Sequence, residues 1–425
     1  MLFFCLIVIC LYLNESTLAF TPNNTVWGHS AVFAYSRIYF TGGLFPKYKD
    51  DFKESTLSKE FYYLDVEKPF KVGAGDKLPW VDLSSVSQNI PAHTWSAFSN
   101  CGLDNSLFLY NGEQGTDTAT VYTYSSLQQW NISTTINPPQ YNFHSQSQTV
   151  CDVRTGKMYR FSGLNPGLQI NQINNYMDIL NTSTLVWEHV NINAQEGRYD
   201  HTGTLLPNGY IVYIGGKLPN GGFVKMSELL LYNTNNDTWI SQKATGYSPT
   251  PRAYHSAVLT QDGRIIVYGG YTGSGSIVSD DLVILDTYDY TWSNVNAIDP
   301  PPSRFYHTAT LVGYYMFVAF GKTNNELPLP TSNEVFILNT YDKSNYKWVN
   351  EFNPDLSDRP NLPDQNLYKN LSTQNRYLVI GIIILSIVLA LIGASFLIYF
   401  YWKRRQSRPD IRVASSQERK YYNNQ

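Results

Sequence analysis

Charge is scarce in this chain of 425 residues: Asp, Glu, Lys and Arg together make up 15%. That excludes a coiled coil and a disordered acidic or basic polymer. Cysteine is scarcer still, with four in all and two of them inside the first nineteen residues, which leaves Cys101 and Cys151. Catalytic signatures are missing as well. There is no G-x-S-x-G, phosphate-binding glycine loop, H-E-x-x-H or dinucleotide fingerprint, so the sequence points to no cofactor. A basic surplus is absent outside the end of the chain. Residues 403–425 hold seven Lys/Arg against two Asp/Glu, a charge of +5, and residues 1–19 hold only Glu15; of the total of −3, this leaves −7 on everything between. A mildly acidic body of that kind is a poor partner for nucleic acid.

Long apolar runs are missing too, with one exception. Leu378 to Tyr401 is 24 residues without a charge, enough at ~1.5 Å per residue to cross a hydrocarbon layer of ~30 Å with some tilt. Tyr377, Tyr399, Tyr401 and Trp402 sit at its ends as interfacial aromatics, and Lys403-Arg404-Arg405 follow at once. Those cations place the tail on the cytoplasmic side and suit it to anionic lipid. At the other end, residues 1–19 join a short apolar run to Thr17-Leu18-Ala19, a secretory leader cleaved near Ala19, the alternative being an uncleaved anchor. Together they imply a single-pass type I protein of the plasma membrane or another membrane of the secretory route. Sequons at Asn23, Asn131, Asn181, Asn236 and Asn370 all lie on the lumenal side of the span.

What is abundant is aromatic side chain, 15% with 33 Tyr, which suits paired strands. Residues 251–292 contain four short apolar runs: from His255 to Leu259, from Arg264 to Tyr268, from Leu282 to Leu285, and around Trp292. Gln261-Asp262-Gly263 turns the first into the second, and Gly269-Gly270 ends the second. Such a unit has open edges and cannot stand alone. The same landmarks recur. His29, His93, His144, His201, His255 and His307 open six units, at spacings of 64, 51, 57, 54 and 52. Trp80, Trp130, Trp187, Trp239, Trp292 and Trp348 close them, at spacings of 50, 57, 52, 53 and 56. Between them, apolar runs end at Gly42-Gly43, Gly112, Gly163, Gly215-Gly216, Gly269-Gly270 and Gly321.

A repeat of this length, with a diglycine and a late Trp, resembles the kelch repeat, whose repeats are propeller blades. The resemblance covers residues 27–352. It implies an all-β fold, a six-bladed propeller over 20–353 with each blade built from contiguous sequence, then a linker over 354–376, the span over 377–402 and the tail over 403–425. Cys101 and Cys151 fall at near-equivalent places in neighbouring blades, where a disulfide is expected in a secreted context; the other reading is two buried thiols. The six His occupy one place in each repeat, as packing residues do, and no metal site is assigned to them.

Three features point toward ligands. Arg198, Arg252 and Arg304 stand three residues before a His in blades 4 to 6, where they would make a positive half-rim for an anionic ligand; the alternative is pairing with a carbonyl or acid between blades. The insertions after the Gly positions gather on one face. The longest, 44–60, carries Tyr48 and Phe52 as candidate contacts to a protein or glycan. Finally, Arg252-Ala253-Tyr254-His255 resembles the Tyr-His pair that supplies copper ligands in galactose oxidase. That family also needs a cross-linked Tyr–Cys pair and a His from an appended domain, neither of which this sequence offers. The expected function is therefore a non-enzymatic module that binds a lumenal or extracellular protein or glycan, the alternative being a copper-radical oxidoreductase.

Overall fold

The computed structural model describes residues 20–22, 26–48, 51–73, 77–101, 106–110, 113–114, 120–125, 129–139, 148–163, 173–190, 192–273, 276–323 and 334–357, with Tyr399 and Lys403. The chain divides into two units, 1–358 and 359–425. The run 378–401 lies outside the described residues; among those described, no helix is long and apolar enough to cross a membrane.

Residues 30–349 make six sheets, each with four consecutive antiparallel strands, and the sheet of blade 5 gains a fifth, parallel strand at its outer edge, Thr245–Gly246. Blade 5 shows why the sequence folds this way. Ser256–Leu259 turns into Arg264–Tyr268 through Gly263, whose φ of +81° only a glycine adopts freely. Arg264–Tyr268 and Leu282–Val283-Ile284-Leu285 are buried throughout because both their faces meet neighbouring blades, whereas Thr291–Asn294 buries Trp292 and exposes its polar end. The first strands of the six sheets lie side by side around the centre, and that of blade 1 touches those of blades 2 and 6, so the ring is closed.

The landmark residues turn out to be interblade cement. Each late Trp packs on the preceding blade: Trp130 on Phe61 at 5.1 Å, Trp187 on Tyr110 at 4.9 Å, Trp239 on Phe161 at 4.6 Å and Trp348 on Tyr268 at 5.0 Å between centroids. Trp292 donates its indole N–H to Met226 O of blade 4, and Trp80 stacks on Phe320 of blade 6. Such pairs contribute about 0.5–1.5 kcal/mol each beyond the area they bury. The histidines reach back in the same way. Nε2 of His255, His307 and His29 meets the hydroxyl of Thr202, Ser256 and Thr308 at 3.1, 2.8 and 2.8 Å.

Blade 2 departs from the spacing. Its first strand is Ala97–Asn100, so Ser96 occupies the place His29 takes in blade 1, and His93 lies three residues upstream in a separate two-residue strand, His93–Thr94. Its imidazole still fills the slot over Gly42 of blade 1, 3.3 Å from Thr41 Oγ1. His144 lies outside the described residues.

Straps add to the ring. The segment leaving one outer strand runs along the next: Thr245–Gly246 pairs with Thr291 and Trp292, Ile136 with Val186, and Ile298 with Lys347. After blade 6, Glu351–Phe352 pairs with Phe70–Lys71 of blade 1 and closes the circle, followed by the short helix Pro354–Ser357. Cys101 and Cys151 are disulfide-bonded across the inner ends of blades 2 and 3, with Cα atoms 5.6 Å apart. The bond bridges a sequence separation of 50, for which loop closure implies about 4 kcal/mol. The Cys101→Ser/Cys151→Ser pair should therefore lower the denaturation midpoint well below that of the parent protein, measured by guanidinium titration; an unchanged midpoint would contradict that stabilisation.

Candidate functional site

The segment entering each first strand runs beside the segment that follows the glycines, as the bridges Trp27–Leu44, Tyr199–Lys217, Ala253–Tyr271 and Phe305–Lys322 record. These segments meet at one mouth of the central channel. In the five blades where it is described, the residue just before the inner strand's opening position is left-handed: Gly28, Trp95, Asp200, Tyr254 and Tyr306 have φ of +63, +49, +56, +58 and +58°. Four of these are not glycine, and each costs on the order of 1 kcal/mol or more. An arc of four backbone hydrogen bonds links them. Tyr254 N donates to Asp200 O (3.2 Å), Tyr306 N to Tyr254 O (3.2 Å), Gly28 N to Tyr306 O (3.2 Å) and Trp95 N to Gly28 O (2.8 Å).

The side chains on this arc form one cluster. The Tyr254 and Tyr306 rings lie 4.2 Å apart, and Trp95 is 5.9 Å from Tyr306. Lys217, next after Gly216, donates from Nζ to the Tyr254 hydroxyl at 2.8 Å and sits 4.4 Å over that ring. The Asp200 carboxyl lies beside the Tyr254 hydroxyl and Lys217. Asp200 is 7% exposed, and its Oδ2 has no hydrogen-bond partner. Burial pushes its carboxyl up to about 7, against the pull of Lys217 and the Tyr254 hydroxyl. Lys322, the residue after Gly321, rests its ammonium 4.0 Å over Trp27 and 5.8 Å from Tyr306. Burial draws it down to about 8, and no carboxylate lies within ion-pair distance of it among the described residues. The Trp95 indole N–H is likewise buried and unpaired.

The arginines of blades 4 to 6 are elsewhere in character. Arg252 and Arg304 are fully buried and Arg198 is 7% exposed, so they do not form the exposed half-rim expected of them. Arg252 donates to Asp280 Oδ1 (2.7 Å), Gly269 O (3.1 Å) and Thr250 O (3.0 Å), and Arg304 donates to Phe320 O (3.0 Å). They clamp the base of the post-glycine loops, with Asp280 as the buried partner of Arg252. Losing that partner strands a buried guanidinium. Asp280→Ala should cost about 3–5 kcal/mol in a denaturant titration, and a loss within experimental error would sink that account.

The insertion 44–60 folds as a hairpin, Leu44–Tyr48 against Asp51–Leu57, that extends from blade 1 on the face of the mouth; the side chains of Tyr48 and Phe52 lie outside the described residues. Tyr254 and His255 do not converge. Tyr254 turns to Lys217 and Asp200, while His255 turns to Thr202, and among the described residues no three His, Cys, Asp or Glu side chains gather as metal ligands. Asn131 and Asn236 are exposed, on the outer strand of blade 2 and in the last turn of blade 4, and Asn181 ends the third strand of blade 3. Asn23 and Asn370 lie outside the described residues. A separate groove of 740 Å³, lined by Val72, Trp80, Asp299, Lys347 and Trp348, follows the outer seam between blades 6 and 1 and is remote from the mouth.

Asp200, Lys217, Trp95, Tyr306 and Lys322 escape sequence reasoning, although a signal exists. Each sits beside a landmark that repeats, at a position where residue type changes from blade to blade.

Residues 28–263 and 200–381 match the KLHDC2/KLHL20/DRC7 Kelch-repeats domain. The chain is similar to Adagio-like protein 1 of Oryza sativa subsp. japonica, 31% identical over 37% of this chain and 25% of that protein. It is similar to Kelch domain-containing protein 3 of Homo sapiens, 27% identical over 39% of this chain and 42% of that protein. An F-box/kelch-repeat protein of Arabidopsis thaliana is 28% identical over 48% of this chain and 44% of its own length. The chain thus spans less than half the length of these curated relatives. Among solved structures, that of YjhT aligns with a TM-score of 0.58 at 12% identity, over 78% of this chain and 99% of its own, a likeness of fold.

Proposed function

Because the chain belongs to the kelch-repeat family and closes its repeats into a six-bladed propeller, we propose that it is a non-enzymatic binding module. In this reading it holds an extracellular or lumenal protein or glycan on the face that carries the post-glycine loops. The run 378–401 anchors it as a type I membrane protein, residues 1–19 deliver it to the secretory route, and the basic tail lies against the cytoplasmic leaflet. Glycans on Asn131, Asn181 and Asn236 would stand on the rim and leave the mouth clear.

The observation that carries the reading is the mouth itself. A buried carboxylate oxygen, a buried indole N–H and an ammonium without a counter-ion among the described residues stand with strained backbone and clustered aromatic faces at one mouth. Buried polar groups are ordinarily paired within a protein, and unpaired ones in a concavity are what a ligand completes. Propeller function is grafted onto such loops and is not dictated by the fold.

The test is partner capture on cell surfaces by the full chain and by Tyr254→Ala/Tyr306→Ala. Capture should fall at least tenfold with the mouth changed and stay level with Tyr288→Ala, whose side chain is 96% exposed at the rim. Equal capture by all three would refute the assignment. Loss of a mass shift on glycosidase treatment of the intact protein, or protection of the propeller from protease added outside sealed lumenal-side-out vesicles, would refute the topology.

A further inference from the structure

The outer strand of a blade presents a row of N–H and C=O groups that another chain can pair with, and proteins blunt such edges by covering, shortening or charging them. Among the described residues, three of these edges are covered by the chain's own backbone. In blade 3, Ile136 N donates to Leu185 O and Trp187 N to Ile136 O, both at 2.9 Å. In blade 5, Thr245 N and Tyr247 N donate to Tyr290 O and Trp292 O at 3.0 and 2.9 Å. In blade 6, Ile298 N donates to Tyr346 O and Trp348 N to Ile298 O, both at 3.0 Å. Blade 1 ends in a strand of only three residues, Trp80–Asp82.

Blades 2 and 4 differ. Their outer strands, Trp130–Ser133 and Thr238–Lys243, stand at the ends of their sheets, and among the described residues neither meets backbone beyond them. The causes are local. The segment entering blade 2 winds into the 3-10 helix Ser84–Val86 and so does not run extended along the strand. In blade 4, Ile192 stands nine residues before the opening His, as Gly246 and Ile298 do. Its carbonyl, however, accepts the indole N–H of Trp239 at 3.0 Å in place of a backbone N–H. The two uncovered strands also display Ile132 and Ile240, 65% and 40% exposed, and an apolar edge invites a second chain.

The same two strands carry sequons. Asn131-Ile132-Ser133 lies within one, Asn236-Asp237-Thr238 runs into the other, and both Asn are exposed. The sequon of blade 3 begins at Asn181, in a blade whose edge is strapped, and its carboxamide oxygen accepts from the N–H groups of Ser183 and Thr184 at 3.0 and 3.1 Å.

From this coincidence we infer that N-linked glycans on Asn131 and Asn236 cover the two unstrapped edges and keep the propeller from pairing through them with a second copy of itself. Attachment joins the Asn amide nitrogen to the anomeric carbon of a diphosphate-activated glycan; the diphosphate leaves and one amide proton is lost. A bulky, solvated glycan bars a strand from the edge without offering a template of its own. The inference rests on the lumenal placement of the propeller proposed above.

The test uses the full chain, made in cells with a secretory pathway and kept in detergent micelles. Mass spectrometry reads occupancy at each sequon, and light scattering reads size over a concentration series. Asn131 and Asn236 should be occupied. Asn131→Gln/Asn236→Gln should associate at a concentration roughly tenfold below the parent's, whereas Asn181→Gln should match the parent. Adding Ile132→Lys and Ile240→Lys to the double variant should restore the parent's behaviour, because a charge on an edge strand opposes pairing. Trimming the glycans of the folded parent to their first sugar with an endoglycosidase should lower its threshold likewise, and it stands in should the double variant fail to fold.

A chain with no sequon occupied removes the lumenal reading and this inference together. Glycans on Asn131 and Asn236 whose loss leaves association unchanged, or whose loss is matched by Asn181→Gln, overturn the inference and leave the lumenal reading standing. A chain modified elsewhere but not at Asn131 or Asn236 does the same.

Discussion

Lowering the pH from 7 to 5 is expected to unfold the propeller. Burial holds His29, His201 and His255 near 3 and His93 near 4, from an ordinary value of 6.5, and also draws His307 well below that ordinary value. A histidine depressed in the folded state contributes stability that is complete above the unfolded value of 6.5 and is lost as the pH falls toward the folded value, because the unfolded chain takes up the proton first. At pH 5 each of the four contributes a loss of about 2 kcal/mol, so together they approach ~8 kcal/mol, against a total of ~5–15 kcal/mol for a domain. Asp200 acts with the opposite sign. Its carboxyl is raised from 3.8 to about 7, so the folded state takes up its proton first between those values and gains stability as the pH falls. That gain is about 2–3 kcal/mol over the same interval, enough to offset one histidine. The histidines win by number. Their rings also see one another and the buried guanidinium groups of Arg198, Arg252 and Arg304, and these like charges hold the imidazoles still further below their ordinary value. The measurement is tryptophan fluorescence against pH, with proton uptake taken from the slope. A transition that absorbs fewer than about two protons would contradict this account. Asp200→Asn, a neutral stand-in for the protonated carboxyl, should be the more stable protein at pH 7 and lose stability more steeply between pH 7 and 5, since it removes the opposing group.

Gly269→Ala is expected to be the most damaging small substitution in the ring. Gly269 has a φ of +66°, and a Cβ there would lie 2.1 Å from the carbonyl oxygen of Arg304 and 2.9 Å from Cε1 of His307, both in the following blade. The left-handed backbone alone costs about 1–2 kcal/mol. The contact adds more, because the carbonyl that must retreat also accepts from Gly270 N at 2.9 Å and belongs to Arg304, whose guanidinium is packed without freedom to follow. We expect a total loss of about 4 kcal/mol or more, the range reached by core overpacking combined with backbone strain. Gly221→Ala is the matched control. Its φ is +81° and no atom lies within 4 Å of its Cβ, so only the conformational part remains. Denaturant midpoints that fall equally in the two variants would show that the interblade contact contributes nothing.

The same contact explains how far the fold can be read from sequence. The diglycine, the late Trp and the opening His are visible because each meets the preceding or following blade in every repeat, and such a contact tolerates few residue types. Where the contact changes, the landmark disappears although the geometry persists. Phe320 and Ser162 replace the first glycine, yet keep φ of +60 and +56°. Phe320 does so by laying its ring edge-on to His29 at 5.1 Å. In blade 2 the spacing of 64 before His93 reflects the inserted hairpin of blade 1 and hides the shift that puts Ser96 in register. The site is less legible for a physical reason. Arg198, Arg252 and Arg304 stand in plain sight in the repeat, but whether a guanidinium faces solvent or a neighbouring blade depends on packing across an interface that no spacing encodes. Asp200, Trp95 and Lys322 show the converse. They vary from blade to blade because nothing in the repeat constrains them, and the ring brings them together only when it closes.

The closure itself has a mechanical consequence. Five of the six blade junctions are continuous chain, whereas the seam between blades 6 and 1 is shut by the pairing of Glu351–Phe352 with Phe70–Lys71, by Val72 N on Asn350 O, and by the packing of Phe352 on Phe70 and Phe317. The chain leaves the disc directly after that latch. Any tension transmitted from beyond residue 358 therefore enters the propeller at its one discontinuous joint and loads the latch before any other strand pair. The ring is in effect a clasp whose pin is the last strand of the propeller, and in an experiment that pulls on the end of the chain its first rip should be the release of residues 351–352.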